Sequence, residues 1–113
     1  MDSDEDLLAA MQSGCTFELV RVLAVARDKA GTRSQTASYE CEVLRSIEEA
    51  ASAPTRLTHF GVPLLEAGRS YVVGVVDSNR HQGAWGLLFA SPAVEHPEQA
   101  VADFLSRRAT LVP

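Results

Sequence analysis

Basic charge is scarce in this sequence, and almost all of it is arginine. Nine Arg and one Lys face fifteen acidic residues, for a formal net charge of -5 over 113 residues. Asp2, Asp4, Glu5 and Asp6 precede the first basic residue, Arg21. A uniformly basic field for nucleic acid or anionic lipid is therefore missing. Cysteine is also sparse. Cys15 and Cys41 are the only two, too few for a disulfide scaffold. If the first two strands read below form a hairpin, Cys41 lies opposite residue 22 rather than 15. Free thiols are then expected, and they fit a reducing, cytoplasmic compartment. No apolar run approaches the ~18 residues of a membrane span, and the acidic start lacks the basic and apolar blocks of a signal peptide. The phosphate-binding and dinucleotide fingerprints rich in glycine are absent as well.

What is present describes one ordinary globular domain over residues 1–113, with 46% hydrophobic residues. A chain of this length buries roughly 65% of its unfolded surface and needs no metal or disulfide to fold. Residues 2–12 read as a short helix. Ser3 is placed to cap it, three acids suit its positive end and Gly14 suits its exit, with Leu7, Leu8 and Met11 on one face. Thr16 to Arg27 reads as a strand with Phe17 and Leu19 in one phase and Val20 and Val22 in the other. That pattern predicts a bulge or burial on both sides. After a polar turn with Gly31, the apolar Ala37, Tyr39, Cys41 and Val43 alternate with Ser38, Glu40 and Glu42, which predicts a strand with one wet face.

Ser46 to Pro54 reads as a helical turn or structured loop, and Arg56 to Val62 as a third strand. A fourth strand follows the turn Leu65-Glu66-Ala67-Gly68, in Ser70-Tyr71-Val72-Val73-Gly74-Val75-Val76. This stretch is β-branched, uncharged and apolar on both faces. The polar loop Asp77–Gly83 leads to a fifth strand over Ala84–Ala90, and Pro97 opens a closing helix over 97–109 with Val101, Phe104 and Leu105 as its stripe. No βαβ repeat occurs, so a sheet of parallel strands is not expected. The expected fold is mainly β: a five-stranded antiparallel Greek-key, OB-like, partly open barrel over residues 15–95 with short N- and C-terminal helices.

One resemblance goes further. A strand, a turn bearing glycine, the strand containing Tyr39-x-x-x-Val43-Leu44, another strand, then Leu65-Glu66-Ala67-Gly68-Arg69-Ser70-Tyr71-Val72-Val73 resembles the netrin-module and tissue-inhibitor-of-metalloproteinases superfamily. The resemblance implies a barrel with helices packed on it and a binding role. It does not carry protease inhibition. The family's inhibitors chelate zinc through an N-terminal Cys in a Cys-x-Cys start, whereas Cys15-Thr16-Phe17 has one Cys with fourteen residues before it, and the family's disulfides are missing.

Motifs for chemistry are thin. His59, His81 and His96 have no metal-ligand spacing to one another or to cysteine. Gly68-Arg69-Ser70-Tyr71-Val72 begins like a nucleophile elbow, but its last position is Val and a strand follows where the elbow needs a helix. Glu40 and Glu42 are explained by a solvated strand face. No catalytic residue, metal or cofactor is assigned, and the expected function is a non-enzymatic module that binds another protein. Its expected binding residues are Arg80, His81 and Trp85, on and behind the Asp77–Gly83 loop, because loops on rigid scaffolds carry recognition and these residue types favour interfaces. A second reading is a single-stranded nucleic-acid-binding OB-fold, with Tyr39, Tyr71 and Trp85 stacking among Arg21, Arg45, Arg56 and Arg80. A third is a small enzyme using Cys15 or a histidine.

Overall fold

A computed structural model describes residues 2–28, 35–47, 56–60, 65–77 and 85–111. In chain order these form α1 (Asp4–Gln12), β1 (Thr16–Asp28), β2 (Thr36–Ser46), β3 (Arg56–Phe60), β4 (Ser70–Asp77), β5 (Trp85–Ala90) and α2 (Pro97–Leu111). The Ser46–Pro54 region lies outside the described residues after Ile47. The Asp77–Gly83 loop lies outside them after Asp77. No described helix is long and apolar enough to cross a membrane.

The helix ends follow from their residues. Ser3 Oγ accepts from the Asp6 N–H at 3.1 Å while Asp6 reaches back to Ser3, a reciprocal capping box. This bonding to Ser3 is the main reason the Asp6 carboxyl titrates below its usual range. At the other end Gly14 turns the chain with φ +77°, a conformation that costs other residues a steric penalty. Of the expected face, Leu7 is fully buried, but its partner is Ala10; Leu8 and Met11 are half-buried.

The five strands close into a barrel in the order β1-β2-β3-β5-β4. β1 pairs antiparallel with β2 and β4, β2 with β3, and β4 with β5. The hairpin register places Val22 opposite Cys41, as the spacing predicts. The mainly β barrel flanked by terminal helices stands as read. Its seam is the new feature: β3 runs parallel to β5 over Leu57↔Trp85 and Thr58↔Gly86, so the barrel is closed and the sheet mixed. Two strands joined through a third need no βαβ crossover to lie parallel, so the missing helical repeat does not forbid this pair.

The wall has two apolar sides. Inside lie Val20, Val22, Tyr39, Cys41, Leu57, Val73 and Val75. Outside, β1, β4 and β5 present Phe17, Leu19, Val72 and Phe89 to Leu7 and Ala10 of α1 and Val101 and Phe104 of α2. This explains why the β1 and β4 sequences are apolar in both phases. β1 also carries the irregularity its pattern suggested, with register shifts against β2 between Leu19 and Val20 and between Val22 and Ala24. On β2 the outward Glu40 and Glu42 are exposed. On α2 the apolar stripe is narrower than expected: Val101 and Phe104 are buried but Leu105 is 40% exposed.

The Leu65–Tyr71 turn is a clamp. Gly68 adopts φ +84°, the Glu66 N–H donates to Tyr71 Oη at 2.9 Å, and the Gly68 N–H donates to the Val22 carbonyl at 2.8 Å. The Val22 N–H donates in return to the Arg69 carbonyl at 2.9 Å. The turn thereby extends the β1–β4 pairing past its last residue pair and buries Leu65 in the interior core.

Candidate functional site

After β5 the chain does not leave the sheet at once. The Ser91 N–H donates to the Val72 carbonyl at 2.9 Å, and Ser91 Oγ accepts from the Val72 N–H at 3.0 Å. The Val94 N–H donates to the Ser70 carbonyl at 2.8 Å. These bonds carry residues 91–94 on along β4 on the β5 side, past the last β4–β5 pair, Val73↔Ala90. Pro97 then opens α2, whose first turn is tied by the Ala100 N–H to the His96 carbonyl at 2.9 Å. The helix folds back over Phe17 and Phe89 through Phe104, with ring centroids 5.0 and 6.0 Å away.

Between α2 and the 91–96 segment lies an open groove of about 410 Å³. Val72, Phe89 and Phe104 form its floor, and Glu95, His96, Gln99, Asp103 and Arg107 stand around it. Arg107 is held in place: its Nε donates to Asp4 Oδ1 at 2.8 Å, a second nitrogen donates to the Asp2 carbonyl, and the guanidinium lies 5.6 Å from the Phe89 ring centre. With Arg107 already matched to Asp4, the remaining charges among the described lining residues are the acids Glu95 and Asp103. The volume falls within the usual range for ligand pockets, and an apolar floor with few polar groups around it is their usual make-up.

The residues expected from the sequence to bind are placed elsewhere or lie outside the described residues. Arg80 and His81 are in the latter group. Trp85 begins β5, pairs with Leu57 and Asp77, and is half-buried against the interior core. The stacking set is also dispersed: Tyr39 and Tyr71 are buried within the barrel, at 1% and 5% exposure. Arg21 pairs with Glu42 and Arg56 with Glu40 in the strand registers, so each sits opposite an acid rather than in a basic patch.

Nor are the thiols and imidazoles brought together. Cys15 is buried on the helix side of the wall and Cys41 on the interior side, both as free thiols. Burial pushes the Cys41 thiol up to about 11. Cys41 is therefore expected to resist iodoacetamide at neutral pH in the folded protein and to react once denaturant unfolds it, as read by intact mass. Rapid alkylation in native buffer would contradict this placement. His59 follows the interior phase opposite Ala37, while His96 is exposed on the groove rim. Among the described residues no group of three His, Cys, Asp or Glu side chains is arranged to hold a metal.

Burial also lowers the His59 pKa from its ordinary 6.5. The unfolded chain then takes up this proton at a higher pH than the folded one. The contribution is fully present above the unfolded value and is lost as pH falls through the folded one. Between pH 7 and 5 the wild type is expected to lose more stability than a His59→Gln variant, measured by urea melts across that range. Parallel curves would assign the pH dependence to other groups.

Two features of the site were not read from the sequence. The groove has no local signature, because its floor comes from β4, β5 and α2 together. Glu18 had one: it is a lone acid inside the run Phe17–Val22. It is fully buried, in register with Val73 and Ser46, and is the one charged residue enclosed among the described residues. Enclosing a carboxylate is costly and requires compensating interactions, so a buried Glu18 is a specific feature of this barrel rather than ordinary core filling.

In comparisons with protein-family models, curated proteins and solved structures, nothing matches the chain.

Proposed function

We propose that the chain is a non-enzymatic module that binds another protein, and that the groove between α2 and residues 91–96 receives it. The occupant is a peptide segment presenting one apolar side chain flanked by lysine or arginine. The observation that carries this reading is the groove itself: it is open, its floor residues Val72, Phe89 and Phe104 lie buried beneath it, and among its described lining residues the charges not matched across the surface, Glu95 and Asp103, are both acidic. An anchor buried on such a floor supplies affinity, and charge around the rim supplies orientation and partner choice.

The test is peptide-display selection on the full chain, followed by fluorescence anisotropy with the selected peptides. Enrichment of basic residues beside an apolar anchor is expected, with binding weakened by Asp103→Lys and lost in Ala100→Trp, which fills the groove. Circular dichroism of both variants checks that they remain folded. Peptides indifferent to both substitutions would overturn the reading.

A second reading, an OB-like barrel that binds single-stranded nucleic acid, draws on the strand order β1-β2-β3-β5-β4. Retention on single-stranded DNA at physiological salt, falling steeply as salt rises, would favour it over peptide binding. The same strand order, with the Gly68 turn and the Tyr71 hydroxyl clamp, supports the proposed kinship with the netrin-module superfamily.

A further inference from the structure

The seam between β3 and β5 is short. The strands pair at Leu57↔Trp85 and Thr58↔Gly86, and no further pair joins them among the described residues. Where they part, a recess of about 250 Å³ opens in the barrel wall beside His59. It lies on a different part of the barrel from the α2 groove and shares no lining residue with it.

Among its described lining residues three are polar: Thr36, Thr58 and His59. Its other walls are Val76, Leu87 and Leu88, with Gly86 contributing backbone only. A Cβ on Gly86 would stand 3.3 Å from Val76 Cγ2, so a side chain there would crowd the recess. No charged residue is among its described lining residues.

The strand phases around His59 narrow what can bind. Its Nδ1 is buried without a hydrogen-bond partner, and the ring as a whole is half-buried. Thr36 and Thr58 lie in the outward phase, opposite to that of Ala37 and Leu57, and give the recess a hydrogen-bonding edge, while His59 backs it from the interior side of the wall. The aliphatic side holds water poorly, and replacing weakly ordered water there with an apolar group favours binding.

We propose that the recess between β3 and β5 is a binding site for a small uncharged molecule with a hydroxyl or carbonyl oxygen on a compact apolar body. The oxygen meets Thr36 and Thr58, and the body lies against Val76, Leu87 and Leu88. This site is independent of the peptide groove, and either can fail without the other.

The experiment uses phenol as the probe on the full chain, with benzoate as an anion of similar size, followed by two-dimensional NMR of backbone amides, methyl groups and the His59 ring. Phenol is expected to give saturable shifts centred on Thr36, Thr58, His59, Leu87 and Leu88, with benzoate binding more weakly. Thr58→Val keeps the side-chain shape and removes one hydroxyl. It is expected to weaken phenol by about two- to tenfold, the loss of one ordinary hydrogen bond, with amide shifts elsewhere unchanged. Gly86→Val, checked for folding by the same spectrum, is expected to abolish the saturable shifts. Shifts that never saturate, that centre elsewhere, or that Thr58→Val leaves untouched would overturn the proposal, as would benzoate binding as tightly as phenol.

Discussion

Replacing Phe104 with alanine is expected to cost about 3–5 kcal/mol, the usual loss for truncating a buried phenylalanine. Phe104 is 5% exposed and touches both elements that α2 must hold. Its ring centre is 5.0 Å from Phe17 and 6.0 Å from Phe89, and the Arg108 guanidinium lies 5.6 Å away. Apart from Val101, α2 buries no other side chain fully, so little remains to keep the helix docked once this ring is gone. Domain stabilities run roughly 5–15 kcal/mol, and the loss is therefore a large part of the total. At this chain length a melting temperature lower by more than about 10 °C is expected. Phe104→Leu, which keeps most of the apolar volume, should lose much less. Urea melts of the two variants measure the difference. If Phe104→Ala melts like the wild type, α2 does not rest on the barrel through this residue, and the groove loses its floor.

The second large effect is expected at Gly74, where the difficulty is excess volume rather than loss of it. Gly74 is the cross-strand partner of Phe17 on β1 and of Phe89 on β5. A Cβ there would stand 2.8 Å from Phe17 Cε1 and 3.1 Å from Phe89 Cβ. The first distance is shorter than carbon atoms tolerate, and the second involves an atom fixed to the β5 backbone. The Phe17 ring cannot swing away freely, because Phe104 and Phe89 pack on it and Arg108 lies 5.7 Å from its centre. Gly74→Ala is expected to cost about 1–3 kcal/mol by overpacking, and Gly74→Val more, with the soluble folded yield falling as well. In the double variant Gly74→Ala with Phe17→Leu, part of the loss should return, since the smaller side chain removes the closest clash. Additive losses in that double variant would place the strain elsewhere, for example in the register shift that follows Gly74.

Both predictions concern the layer outside the barrel, and that layer is what makes the α2 groove. Phe17, Phe89 and Phe104 lock one another in place, and Gly74 leaves the space in which they meet. A protein-binding reading of the groove therefore requires binding and stability to be separated. Exposed rim changes such as Asp103→Lys are informative about binding, whereas changes to the aromatic floor are not.

Local chemistry was readable along the chain. Ser3 announced a capped helix, Gly68 a turn before β4, and Pro97 the start of α2; all three are found, with Asp6 completing the cap and Gly68 at positive φ. The alternation from Ala37 to Val43 gave β2 one buried face and one wet face, and the hairpin arithmetic put Cys41 opposite Val22. These features depend on residues within a turn or a hairpin of each other, where backbone sterics and hydrogen bonding leave few choices.

What only the tertiary structure decided are matters of what covers what. Periodicity shows that β1 and β4 are apolar in both phases, but not that one phase meets the barrel interior and the other meets α1 and α2. A stripe of Val101, Phe104 and Leu105 reads the same whether the helix is deeply seated or shallow, and here Leu105 remains exposed. The two-pair parallel seam joins strands separated in sequence by the whole of β4, so neither strand carries a mark of it. The α2 groove and the recess beside His59 arise from such non-local meetings. Their places were set by chain closure and packing, whereas the sequence by itself determined the pieces that had to be packed.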